Sequence, residues 1–160
     1  TIDETTIKWP NDVLISNKKV AGILTEATLE NGKIKQIIVG IGINVANRDF
    51  PEELCDKATS IYVETGKILD REKLICDITS EFFTMYDEFL KNRFRIFKEE
   101  YKEKCITLNK EVYLVNNAGK RIAKAVDITD NGELIVEING KEEIINSCEV
   151  SVRGLLGYAW

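Results

Sequence analysis

The chain has 160 residues, 44% of them hydrophobic, and a formal net charge of -5. That composition suffices for one core, or a core and a small satellite domain, and its acidic balance offers nucleic-acid phosphates no general attraction. Histidine is absent, which excludes Ser-His-Asp and Cys-His catalysis and leaves lysines and carboxylates to do any acid, base or electrostatic work.

In chain order, TIKW and DVLI read as short strands around a Pro10-Asn11 turn, and NKK at 17–19 as a hairpin connection into VAGILTEATLE. A second turn, Glu30-Asn31-Gly32, leads into KIKQIIVGIGINVA, completing a meander. The run IIVGIG is apolar on both alternations, which predicts a central strand covered on both faces. The whole apolar stretch at 37–46 is too short to span a bilayer, and TIDETTIKW lacks the basic start and apolar centre of a signal peptide. A cytoplasmic protein without a membrane partner is expected. Beyond a charged loop carrying Pro51, ATSIYVETG reads as a short helix closed by Gly66.

Asp70 is placed to cap a long helix with Leu74, Ile78, Phe82, Met85 and Phe89 at helical spacing, and Phe94, Phe97 and Tyr101 continue the spacing on another helix. This aromatic stripe is expected in a core. From Ile106 onward the chain alternates as five short strands broken at Asn117-Ala118-Gly119, Asp130-Asn131-Gly132 and Asn139-Gly140, the pattern of a small closed barrel that folds by itself. Cys55, Cys76, Cys105 and Cys148 form no C-x-x-C pair and read as scattered reduced thiols, so no metal site is expected.

Lys19 draws attention because Val20-Ala21-Gly22 follows it. A hairpin lysine usually belongs to a solvated turn, but a cation beside small residues also suits a carboxylate or phosphate. Asn11 and Asp12 are open to two readings as well, since Pro-Asn-Asp is ordinary turn chemistry. The glycines of GIGIN either permit tight packing or admit a ligand, and Asn44 ends that strand with a polar amide.

Taken together, KWPNDVLI, KKVAGIL and IIVGIGINV closely resemble the catalytic domain of biotin protein ligases, and EVSVRGLLGY resembles the end of the small barrel that follows it. The resemblance implies an α+β fold: part of a mixed β-sheet with packed helices, of the class II aminoacyl-tRNA synthetase and biotin ligase kind, at 1–105, then an SH3-like β-barrel at 106–160. It implies an adenylate-forming biotin–[acetyl-CoA-carboxylase] ligase that uses biotin, ATP and Mg2+ and acts on the biotin carboxyl carrier domain of a carboxylase. Lys19 and Asp12 match catalytic positions. Lys19, Gly22, Leu24, Gly40 and Ile41 match the biotin site, and Asn11, Asp12, Asn44 and Arg153 match positions near ATP.

The family's Gly-Arg-rich loop, which precedes the Lys-Trp-Pro-Asn-Asp turn, does not occur here. A fragment, inactive alone and able to pair with a second copy, is therefore expected. Rival readings are a lipoate protein ligase-like enzyme and a non-catalytic protein-binding module.

Overall fold

The computed structural model describes residues 5–116, 119–147 and 151–154. Strands β1 (Thr6–Lys8), β2 (Asp12–Ile15), β3 (Lys18–Glu30) and β4 (Lys33–Ile43) form an antiparallel meander in the order β1-β2-β3-β4. Two connections are two-residue turns with positive φ at both positions, Ser16 and Asn17 (51° and 62°) and Asn31 and Gly32 (53° and 74°). Such turns match the twist of the strands they join, and Asn and Gly tolerate the left-handed conformation.

Local chemistry also sets the helices. Ser60 Oγ accepts the Val63 amide at the start of α1 (Ile61–Thr65), and Gly66 closes that helix at φ 69°. Asp70 accepts the amides of Glu72 and Lys73 at the start of α2 (Arg71–Asn92). The short α3 (Lys98–Lys104) follows.

Two burial expectations fail. Strand β4 is the edge of its sheet, not its centre, and the successive residues Ile37 and Ile38 are 55% and 50% exposed, so both faces are open. The stripe of α2 is likewise uncovered: Phe82, Met85 and Phe89 are exposed, and no residue of the helix is buried. Apolar periodicity records which face is suited to burial, but only a packing partner can bury it.

The second sheet consists of β5 (Glu111–Asn116), β6 (Gly119–Ile128), β7 (Leu134–Ile138), β8 (Lys141–Ile145) and β9 (Ser151–Gly154), antiparallel in the order β8-β7-β6-β5-β9. Alternate residues face one core, among them Val112, Leu114, Ala125, Leu134, Val136 and Val152. The residues 117–118 of one expected turn, and Cys148, lie outside the described residues.

This core reaches back to the beginning of the chain. Trp9, in the turn between β1 and β2, is 2% exposed and belongs to the same apolar cluster, with Phe94 and Tyr101 packed against it. Its amide donates to Thr107 Oγ1 at 3.0 Å and its indole Nε1 to the Gly132 carbonyl at 2.9 Å. Alongside, the Ile106 amide donates to the Ile7 carbonyl at 2.9 Å. The strand pattern after residue 106 gave no sign that its core borrows a tryptophan from the first sheet.

Candidate active site

The β1–β2 turn and the adjoining ends of β3 and β4 surround an open groove of about 720 Å³. Its lining includes Asn11, Lys19, Gly22, Leu24, Gly40, Ile41 and Asn44. Seven of the expected site residues are thus brought to one place.

A register slip aims Lys19. Val13 faces Ala21 but Leu14 faces Lys19, leaving Val20 as an extra residue in β3. Without that residue, positions 19 and 22 would fall on opposite faces of the strand. With it, the Lys19 side chain crosses Gly22: a Cβ at position 22 would lie 2.8 Å from Lys19 Nζ and 3.3 Å from Asp12 Oδ1. Glycine there makes room for the ion pair, in which Lys19 Nζ lies 2.5 Å from Asp12 Oδ1.

Neighbouring segments brace this arrangement. The carbonyl of the extra Val20 accepts the Asn44 amide at 2.9 Å. The Lys19 amide donates to the Lys57 carbonyl at 2.8 Å, and its carbonyl accepts the buried Thr59 amide at 2.9 Å. Asn44 Nδ2 donates to the Thr59 carbonyl at 3.0 Å. Asn11 is bound to β3 twice, its carbonyl accepting the Ile23 amide and its Nδ2 donating to the Ile23 carbonyl. Both Asn11 and Asn44 therefore hold the strand ends in place as well as lining the groove.

The glycines of β4 have a different meaning. At Gly40 the nearest atom to an added Cβ is the Leu24 carbonyl oxygen at 3.7 Å, and at Gly42 it is that of Gly22 at 3.9 Å. These are ordinary contacts. Backbone crowding does not require glycine at either position, and a side chain would project into space that a flat ligand can use.

Lys8 was not singled out from the sequence. It is 8% exposed, and its Nζ lies 3.9 Å from Asp12 Oδ2, so two lysines flank one carboxylate. Burial lowers its pKa to about 8, with Lys19 and Arg153 pushing the same way and Asp12 opposing. A cross-strand pairing of Lys8 with Asp12 was the available signal. Thr59 and the extra Val20 had none, since a bulge and a distant loop leave no periodic trace.

The chain matches the Biotin/lipoate A/B protein ligase family over residues 3–44 and the Biotin protein ligase C terminal domain over residues 107–153. It is 36% identical to the biotin protein ligase from Aquifex aeolicus in complex with biotin and ATP, with a TM-score of 0.81, over 94% of this chain and 62% of that one. The chain belongs to the biotin protein ligase family.

Among curated family members, the Bifunctional ligase/repressor BirA of Bacillus subtilis is 35% identical over 93% of this chain and 46% of its own length. The Biotin--[acetyl-CoA-carboxylase] ligase of Mycobacterium tuberculosis is 28% identical over 92% and 53%. The chain spans about half the length of these two ligases. Of the residues expected from the family resemblance, Arg153 stands apart from the groove: it is exposed on β9 opposite Tyr113, and its charge is felt at Lys8. Asp12 lies beside the groove as the counterion of Lys19.

Proposed function

We propose that these residues supply one wall and the charged centre of a biotin protein ligase site, which joins biotin to ATP as biotinyl-adenylate and passes the biotinyl group to a lysine of a carboxylase carrier domain. The observation that carries the reading is the Lys19–Asp12 pair, 2.5 Å apart over Gly22, beside a groove that Lys19 itself lines. Leu24, Gly40 and Ile41 offer the ring of biotin an apolar wall and a floor without side chains.

Two anions must meet for the first step. A biotin carboxylate oxygen attacks the α-phosphorus of ATP and pyrophosphate leaves. The Lys19 ammonium offsets their repulsion and stabilises the charge gathering at phosphorus. Asp12 holds that ammonium in place before substrates arrive, and its carboxylate is then available to take a proton from the acceptor lysine. That amine attacks the acyl carbon and AMP leaves. Asn11 and Asn44 are assigned to the nucleotide side, and Arg153 to its outer reach.

Magnesium fits this site only as a companion of the nucleotide. Among the described residues no group of three or more metal-ligating side chains converges, and a Mg2+ ion commonly uses substrate phosphates with one or two carboxylates. Asp12 is already engaged by Lys19 and Lys8, so the phosphates of the nucleotide would hold the ion. No described helix is long and apolar enough to cross a membrane, and we assign the enzyme to the cytoplasm. We also place a domain boundary at 105/106, with a carrier domain and a second copy of the enzyme as its protein partners.

The test is exchange of pyrophosphate into ATP. A ligase containing this chain should exchange with biotin and not with lipoate, whereas residues 1–160 alone should show no exchange because the groove is open to water, which screens Lys19 and releases the substrates. Preference for lipoate would overturn the substrate assignment, and robust exchange by residues 1–160 would overturn the one-wall reading.

A further inference from the structure

The turn carrying Asn11 and Asp12 has two sides. One faces the groove, while the other is inserted into the C-terminal sheet. Trp9 fills a place in that sheet's core, its amide donates to Thr107 Oγ1, and its indole donates to the Gly132 carbonyl. A third element touches the turn from outside, where Tyr101 Oη donates to the Pro10 carbonyl at 3.2 Å.

The acceptor end of this seat is itself braced. Gly132 sits at φ 86°, and its amide donates to the Thr129 carbonyl at 3.0 Å. Thr129 Oγ1 also accepts the amides of Asn131 and Glu133. Such a turn presents its carbonyl from a fixed position. Thr107 is 5% exposed, so its hydroxyl and the Trp9 amide are shielded from water, and loss of either partner leaves the other unsatisfied.

We propose that Thr107, Trp9 and Gly132 are positioning residues for the ligase reaction: the C-terminal sheet grips the β1–β2 turn by its tryptophan and so fixes Asp12 against Lys19. This rests on the biotin ligase reading of the groove. The grip bears on one side of the site only. Leu24 lies beyond Ile23, the last β3 residue tied to the turn, and Gly40 and Ile41 lie on β4, which pairs with β3 alone. Slackening the turn should therefore disturb the chemical step and spare biotin binding.

The experiment compares Thr107→Val, Thr107→Ser and the unchanged ligase that contains this chain. Thr107→Val keeps the shape and deletes the hydroxyl. It should lower kcat for biotinyl-adenylate formation about tenfold, as a small misplacement of a reacting group does, while KM for biotin stays within about twofold. Thr107→Ser should restore kcat, and amide hydrogen exchange at Asn11 and Asp12 should be faster in the valine variant alone. Trp9→Phe, which deletes the indole N–H, should repeat the pattern and serves if Thr107→Val does not fold. Unchanged kcat, a parallel rise in KM for biotin, or failure of serine to rescue would overturn the proposal. If the unchanged protein forms no adenylate, the ligase reading fails, and the hydrogen exchange still decides the grip: equal protection in all variants overturns it.

Discussion

At the scale of single residues, the two lysines of the β2–β3 hairpin separate cleanly. Lys19 reaches Asp12 across Gly22, whereas Lys18 Nζ donates to the Cys55 carbonyl at 3.0 Å, on an exposed loop. In a ligase containing this chain, Lys19→Met should reduce biotin-dependent pyrophosphate exchange by roughly two to three orders of magnitude, and Lys18→Met should be mild. Similar small effects would return Lys19 to a solvated turn. Lys8 adds a pH dependence of its own. Its folded pKa, about 8, lies below the ordinary value of 10.5, so the folded state holds the proton less tightly than the unfolded chain. Stability should therefore rise with pH from about 8 to 10.5, by roughly 3 kcal/mol at most, as the penalty of burying the charged amine is relieved. Thermal unfolding of the wild type against Lys8→Met reads this, because the variant should lose the rise. Asn11, Asp12, Lys19 and Asn44 were legible in the sequence as polar groups beside turns and a small-residue strand. The bulge at Val20 was not, because one extra residue in a strand changes no local preference.

Among the elements, those fixed by local chemistry match the sequence closely. The turn residues Asn31-Gly32 and Asn139-Gly140, the caps Ser60 and Asp70, and the closing Gly66 each lie where their backbone conformations are needed. Burial could not be read in the same way. Strand β4 and helix α2 have the apolar patterns of core elements, yet Ile37, Ile38, Phe83 and Tyr86 are exposed. The edge of β4 adds backbone groups suited to pairing with another strand. Residues 1–160 alone should consequently bind a hydrophobic dye and gain mass with concentration in analytical ultracentrifugation. A monodisperse monomer without dye binding would contradict these open faces.

For the molecule as a whole, Trp9 makes the two sheets interdependent. An expectation that residues 106–160 fold by themselves assigned the second core only to its own strands, but deleting a buried tryptophan costs about 3–5 kcal/mol, comparable to the whole stability of a domain this small. Residues 106–160 alone should give a poorly dispersed amide NMR spectrum, and the spectrum should sharpen when the same residues are studied within the 160-residue chain. Sharp, dispersed signals from the isolated segment would show that its strands need no help. Trp9 lies 98 residues before Thr107 and 123 before Gly132. Contacts so distant along the chain form late, since a long loop must close before they are rewarded. On the ribosome, the β1–β2 turn emerges well before its seat exists, and the seat is incomplete until residue 132 has been made. Translation thus acts as a clock on competence: a nascent chain halted before that point would carry Lys19 and Asp12 on their paired strands, but the turn beside them would lack its seat.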